Sequence, residues 1–171
     1  MTVAQKLSAA VKMLVMDVDG TLTDGKIYYY SDGTEGKAFD VKDGYAIKHF
    51  LPQMGIVPVI ITGRISDIVS RRAEELGIRE VHQGIQNKIE LFDMLLEKYG
   101  VGEENVAYIG DDLNDLPFIQ KVGLSFCPCD AAEEIRKAVD ITLMSAGGNG
   151  AVRECVEWLM QHTHNSKEGK K

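Results

Sequence analysis

Apolar positions along this chain come in short blocks divided by glycine and polar breaks, and the blocks alternate between two periods. Six blocks, at Lys12–Asp17, Val57–Ile61, Glu80–His82, Val106–Ile109, Gly123–Phe126 and Asp140–Leu143, have the short apolar pattern of buried strands. Between and after them, Ser66–Leu76, Asn87–Tyr99, Asp115–Lys121, Ala131–Lys137 and Gly150–His162 place apolar residues at helical spacing. Ser66 is expected to cap the first of these, and Gly100 to stop the second. In the Asn87–Tyr99 helix, Ile89, Phe92 and Leu96 are expected to turn inward. Residues 43–54 repeat the helical pattern, with Pro52 predicting a kink or an early end. After the first strand, Lys26–Tyr30 and Thr34–Phe39 flank Asp32-Gly33 and predict a small hairpin. Residues 1–11 suggest a short helix. Strands alternating with helices imply an α/β fold, a doubly wound, Rossmann-like parallel sheet of about six strands with right-handed crossovers. A single domain over residues 1–162 is expected, followed by a polar, flexible tail at 163–171.

Composition narrows the function classes. The chain has 171 residues, 44% of them apolar and 7% aromatic, as in an ordinary soluble protein with one sizeable core. Its net charge of −7 argues against a nucleic-acid surface, so an anionic ligand would need a local cation. No apolar stretch is long enough to span a bilayer, and Lys6 and Lys12 interrupt any signal-peptide core. Cys127, Cys129 and Cys155 are an odd number without redox or zinc spacing, which suits a reduced, cytoplasmic protein.

Chemistry gathers where the strands end. Asp17 and Asp19 close the first strand, Thr62-Gly63-Arg64 the second, and Gly110-Asp111-Asp112 the fourth, while Lys88 opens a helix after the third. Carboxyl ends of parallel strands share one edge of the sheet, so these groups should converge. So many carboxylates in one crevice need a cation, and all-oxygen ligands suit Mg²⁺, with Asp17 and Asp111 as the natural pair. Asp112 and Asp115 then become partners that orient metal-bound water. Asp17 can attack a phosphoryl group, and Asp19 can protonate the leaving oxygen and later activate water. Thr62 and nearby amides can bind the phosphoryl oxygens, and Lys88 adds a point charge. Arg64 starts at the crevice edge. Arg72, two turns into the next helix, is expected near the same face with Lys48 opposite, a set suited to a substrate carboxylate.

The ordered set Asp17-Val-Asp19-Gly20-Thr21, Thr62, Lys88 and Gly110-Asp-Asp-x-x-Asp115 resembles the haloacid dehalogenase superfamily of phosphotransferases. That resemblance implies the main-chain carbonyl of Asp19 as a further metal ligand. An aspartate at position 19, where ion-pumping members carry threonine, implies a phosphatase. The spacing from Asp17 to Lys88 leaves no room for a cap domain, and capless members act on large substrates or borrow a neighbouring subunit as lid. Across nearly the whole chain, Phe39–Lys48, Ile61–Arg64, Arg72, Gln86–Lys88 and Gly147–Glu154 resemble the phosphatases of 3-deoxy-D-manno-octulosonate 8-phosphate, which form homotetramers. Carried over by position, Asp19, Asp40, Val41, Lys42, Asp43, Gly44, Lys48, Gly63, Arg64, Arg72 and Lys88 would contact the phosphorylated sugar acid. Lys42, Lys48 and Asn149 depart from that pattern, in which basic residues (arginine at the first two) are common.

Two alternatives bound this reading. Phosphatases for nine-carbon sugar acids resemble the chain but carry glutamate where Arg64 stands. Signalling receiver domains share an acidic Mg²⁺ site, threonine and lysine, but their acidic pair precedes the phosphorylated aspartate by a strand and a helix. The three tyrosines Tyr28–Tyr30 cannot all face their own sheet, so an assembly is expected to cover at least one.

Overall fold

β1 (Met13–Met16) is buried throughout because it is paired on both edges, to β4 (Val57–Ile61) and to β6 (Val106–Ile109). The structure, a computed structural model, describes Lys6, residues 10–85 and residues 88–163. The expected N-terminal helix therefore lies almost wholly outside the described residues, and the tail beyond residue 163 does so entirely.

β5 (Glu80–His82), β7 (Leu124–Cys127) and β8 (Ile141–Thr142) complete a six-stranded sheet in the order β5-β4-β1-β6-β7-β8, every pair parallel. Counting this sheet's strands alone, the order is 3-2-1-4-5-6, the doubly wound arrangement whose ligand crevice lies where the winding reverses. Alternation along β1 shows why both faces need cover. Leu14 and Met16 join one core cluster, and Met13 and Val15 the other.

The first cluster is closed by three helical segments. They are α1 (Val41–Tyr45) with its continuation into α2 (Leu51–Met54), α3 (Asp67–Leu76) and α7 (Ala151–Thr163). The second is closed by α4 (Lys88–Tyr99), α5 (Leu116–Ile119) and α6 (Glu133–Ala138). Pro52 does not shorten the predicted helix, which runs to Met54. A π-helical stretch, Ala46–Phe50, leads into it, and Pro52 enters the following turn near its start, where its missing N–H is tolerated. Asp40 rather than Asp43 begins α1, accepting from Lys42 N at 2.7 Å.

The hairpin is present but small, with β2 (Tyr28–Tyr29) antiparallel to β3 (Glu35–Gly36). Gly33 takes φ +85° in the turn, and Asp32 Oδ1 accepts from the amide and hydroxyl of Thr34. Tyr28, Tyr29 and Tyr30 are all exposed on it. No helix of the described residues is long and apolar enough to cross a membrane.

Candidate active site

Main-chain bonds that extend the sheet fix the first three groups. Asp17 N donates to Ile109 O at 3.0 Å, and Thr62 N to His82 O at 2.9 Å. Gly110 N, just before Asp111, donates to Phe126 O at 3.3 Å. Thr21 Oγ1 donates to Asp111 Oδ1 at 2.9 Å, tying the loop after β1 to the loop after β6. Gly20 is required between them. It has φ +97°, and a β-carbon there would overlap the Asp111 carboxylate.

Beneath these lies a saturated polar chain. Lys88 Nζ donates to Asp17 Oδ1 at 3.1 Å and to Asp115 Oδ1 at 2.8 Å. Tyr108 OH donates to the same Asp115 oxygen at 2.6 Å, while Asp115 Oδ2 accepts from the amides of Asp111 and Asp112. Lys88, Phe92 and Leu95 form the buried stripe of α4, so the lysine leads the core-facing side of its own helix. Ile89 and Leu96 are only partly buried, a rotation of the expected face that the inward lysine accounts for.

The electrostatics ask for a cation. Burial, then the charge of Asp115, raises the Asp17 carboxyl to about 7 despite Lys88. Burial raises Asp111 to about 7 as well, against the hydrogen bond from Thr21 and helped by Asp115, Asp112 and Asp130. Burial alone would lower Lys88, yet Asp17 and Asp115 hold it above the ordinary lysine value. Burial pushes Tyr108 well above the ordinary phenol value, so it stays a donor to Asp115. One oxygen each of Asp17, Asp111 and Asp115 lie within 4.8 Å of one another. Crowded, half-neutralised carboxylates of this kind fit a divalent cation, and a donor set without histidine or cysteine fits Mg²⁺. Asp115 also holds Lys88 and the Asp111 loop, since donors of the chain bond both its oxygens. Asp112 stays exposed and accepts from Leu113 N.

Above the polar chain is an open crevice of about 240 Å³ lined by Asp17, Asp19, Thr62, Gly63, Arg64, Asp112 and Asn114. Six of the expected site residues are therefore brought together around it, with Lys88 and Asp111 beside Asp17. Arg64 reaches the rim, where it also meets the hairpin, with Nη2 3.2 Å from Glu35 Oε2 and 3.4 Å from Tyr29 OH. Ser66 has cap geometry but no capping bond, because its hydroxyl donates to Glu35 instead.

The remaining sugar-contact residues do not line this crevice within one subunit. Arg72 Nη1 binds Glu75 at 2.8 Å and Nη2 approaches Asp40 O at 3.4 Å. Lys48 Nζ donates to Glu75 O at 2.9 Å. α3 rises roughly 1.5 Å per residue, so Arg72 lies roughly 7–8 Å along the helix from Asp67, away from the crevice. Asp43 is 1% exposed and accepts from Arg153 N at 2.7 Å, its carboxyl raised to about 6 by burial. Gly44 is buried against Arg72, whereas Val41 and Lys42 face solvent. Within its own subunit, distance along α3 separates Arg72 from this crevice.

Tyr108, Glu35 and Lys37 were not anticipated, and Thr21 was anticipated only as part of the motif after β1. Tyr108 carried a signal, since a phenol inside an apolar strand needs a buried partner. Lys37 carried none, because its partner Asp19 is 18 residues away across a hairpin.

A doubly wound sheet with a carboxylate-rich crevice at its switch point defines a haloacid dehalogenase-like hydrolase, and the family model of that description matches residues 77–154. The 3-deoxy-D-manno-octulosonate 8-phosphate phosphatase KdsC of Escherichia coli K12 is 46% identical over 150 residues, 88% of this chain and 79% of that protein. The phosphatase of the same name from Yersinia pestis superposes with a TM-score of 0.90 at 38% identity, over 97% of this chain and 89% of its own. That of Moraxella catarrhalis, solved with magnesium, phosphate and KDO, gives 0.89 at 43% identity over 95% and 92%. The chain belongs to the 3-deoxy-D-manno-octulosonate 8-phosphate phosphatase family.

Proposed function

We propose that this protein hydrolyses 3-deoxy-D-manno-octulosonate 8-phosphate to the free sugar acid and inorganic phosphate, as an Mg²⁺-dependent phosphomonoesterase of lipopolysaccharide sugar biosynthesis. The observation that carries this reading is the placement of Asp17 and Asp19 on one crevice, with Lys88 bonded to the first and Asp111 beside it.

An Asp17 carboxylate oxygen attacks phosphorus as the bond from phosphorus to the sugar O8 breaks. Asp19 gives its proton to the departing oxygen, releasing the alcohol and leaving an aspartyl phosphate. Water then attacks that phosphorus, Asp19 takes back a proton, and Asp17 is freed. Thr62 and the amides around Gly63 hold phosphoryl oxygens, and Lys88 keeps Asp17 in place and offsets its charge. Mg²⁺, held by Asp17, Asp111 and the main-chain carbonyl of Asp19, supplies positive charge to the phosphoryl oxygens when bound. Arg64 at the rim binds the sugar-acid carboxylate, and an arginine where the similar nine-carbon phosphatases carry glutamate favours the eight-carbon acid.

A crevice open to solvent and three exposed tyrosines on the hairpin support a homotetramer in which a neighbouring subunit covers the site. The three unpaired cysteines support a cytoplasmic enzyme. The test is phosphate release from the 8-phosphate and from a nine-carbon acid 9-phosphate, with Mg²⁺ and with excess chelator. Preference for the 8-phosphate, abolished by chelator, is expected. Preference for the 9-phosphate, or full activity in chelator, would overturn the assignment.

A further inference from the structure

The strand β3 and the residue after it turn two charged side chains the same way. Glu35 and Lys37 are two residues apart in extended chain and so share a side. Gly36 faces the other way, where a β-carbon would press on the Tyr30 ring. The Lys37 side chain is 0% exposed, although lysine stems normally let the ammonium reach water. Its Nζ bonds Asp19 Oδ1 and lies 3.9 Å from Glu35 Oε1. Arg64 Nε stands 3.7 Å from the other Asp19 oxygen, Oδ2, and Arg64 is itself paired with Glu35. A dry ammonium is kept only where partners repay its lost hydration, and here the partners are the crevice aspartate and Glu35.

We propose that Lys37 is a positioning residue for the reaction, holding the Asp19 carboxyl by Oδ1 so that Oδ2 is presented to the leaving oxygen. With Oδ1 accepting from Lys37, the other oxygen, Oδ2, is left facing Arg64 and the crevice. The proton that leaves Asp19 goes to the departing alkoxide, and Lys37 keeps all of its own. This rests on the proposed role of Asp19 as acid. The hairpin thereby has a part in the chemistry as well as in covering the crevice, through a residue outside the sheet that holds the other reactive groups.

The test compares leaving groups. An alkyl oxygen needs a proton to depart, whereas nitrophenolate does not, and kcat/KM senses only the steps up to loss of the alcohol. Lys37→Met should lower kcat/KM for an alkyl phosphate by about 30- to 100-fold, the scale of an angstrom-sized misplacement. For p-nitrophenyl phosphate the change should stay within about threefold, since no general acid is needed there. Lys37→Arg should recover much of the alkyl-phosphate loss. Should Lys37→Met fail to fold, as judged by its thermal midpoint, Lys37→Gln is read in the same way. Equal losses on both substrates, or none on either, would overturn the proposal. The comparison is made with the sugar-acid 8-phosphate and with glycerol phosphate. Failure of the wild type on the former alone would count against the substrate assignment and leave the Lys37 result readable.

Discussion

On the floor of the crevice, Asp17, Lys88, Asp115 and Tyr108 are 5, 7, 0 and 0% exposed, and each is bonded to another of the four. On its rim, the Arg64 side chain is 44% exposed, Ile65 is 78% exposed and Leu113 54%, and the polar groups there belong to loops and a two-stranded hairpin. Asp17 and Tyr108 are held by the sheet's own ladder, and Lys88 from α4 and Asp115 from the turn before α5 close on them through buried bonds. The rim depends on side chains that have water as an alternative partner. Reaction chemistry is thus built into the fold, while recognition is carried by segments that can vary without disturbing it.

Breaking the floor should have the largest effects. Asp17→Asn removes the attacking oxygen, and turnover should fall on the order of 10⁴-fold or more with no phosphoenzyme trapped. Asp19→Asn should instead let an aspartyl phosphate accumulate from substrates with good leaving groups. Wild-type rates in Asp17→Asn would sink the covalent route. Lys88→Met is next. It leaves Asp17 and Asp115 buried without their cation, and breaking a buried pair in this way costs about 3–5 kcal/mol. Denaturant unfolding in chelator should show that loss, with Mg²⁺ restoring part of it. A variant as stable as wild type in chelator would show that Lys88 does not neutralise the floor.

How much of this was legible from sequence follows the same division. The strands and the convergence of Asp17, Thr62 and Asp111 follow from apolar runs ending in polar residues, because a parallel sheet leaves those ends little freedom. The part of Lys88 was visible as an oddity, a cation at a helix start. The fate of Arg72 was not. Helical angle places it toward the crevice, but α1 packs alongside and offers Asp40 O, while Glu75 offers a carboxylate, and those nearer partners prevail. Lys37 was invisible for a related reason, since which face a two-residue strand turns inward depends on what the hairpin lies against. Asp43, at the start of the predicted helix, accepts at Oδ1 from the amide of Arg153 in α7, a partner 110 residues away that spacing does not reveal.

Proton binding sharpens the comparison further. Asp17 and Asp111 are raised from 3.8 to about 7 in the metal-free floor, so between those values the folded protein holds protons that the unfolded chain has released. That contribution is complete below about pH 4, is lost as pH rises, and levels off above about 7. At about 1.4 kcal/mol per pKa unit, a rise of about three units amounts to roughly 4 kcal/mol for each independent group, and to less per group here because the Asp111 charge acts on Asp17. Asp43, raised to about 6, acts in the same direction. Glu80 and Glu154, held below their ordinary value, act below this window. Unfolding midpoints at pH 5 and 7.5 should therefore favour pH 5 in chelator, and Mg²⁺ should remove or reverse the trend by favouring the ionised pair. Greater stability at pH 7.5 in chelator would refute the reading of the floor as a cation site.

The smallest expected effects lie at the rim and set Arg64 against Arg72. Arg64→Ala should cost roughly 1.5–3 kcal/mol of transition-state binding on the sugar-acid phosphate, the worth of a charge-assisted hydrogen bond. The lower end is expected, because Arg64 gives up Glu35 and Tyr29 to bind a ligand, and an exposed pair of that kind is worth about 1 kcal/mol at most. Turnover of a small aryl phosphate should hardly change. Arg72 is engaged differently, bonded to Glu75 and Asp40 O and lying 5.8 Å over the Phe39 ring beside Gly44. As a strut between α1 and α3, Arg72→Met should lower stability by about 1 kcal/mol and leave both substrates alone. Suppose instead that Arg72→Met lowers kcat/KM for the sugar acid, spares the aryl phosphate and keeps wild-type stability. Arg72 would then reach substrate although it does not line its own crevice, and a crevice in a neighbouring copy would be the one within its reach. The loss should then disappear in any variant that is monomeric by mass, because separated subunits offer Arg72 no second crevice.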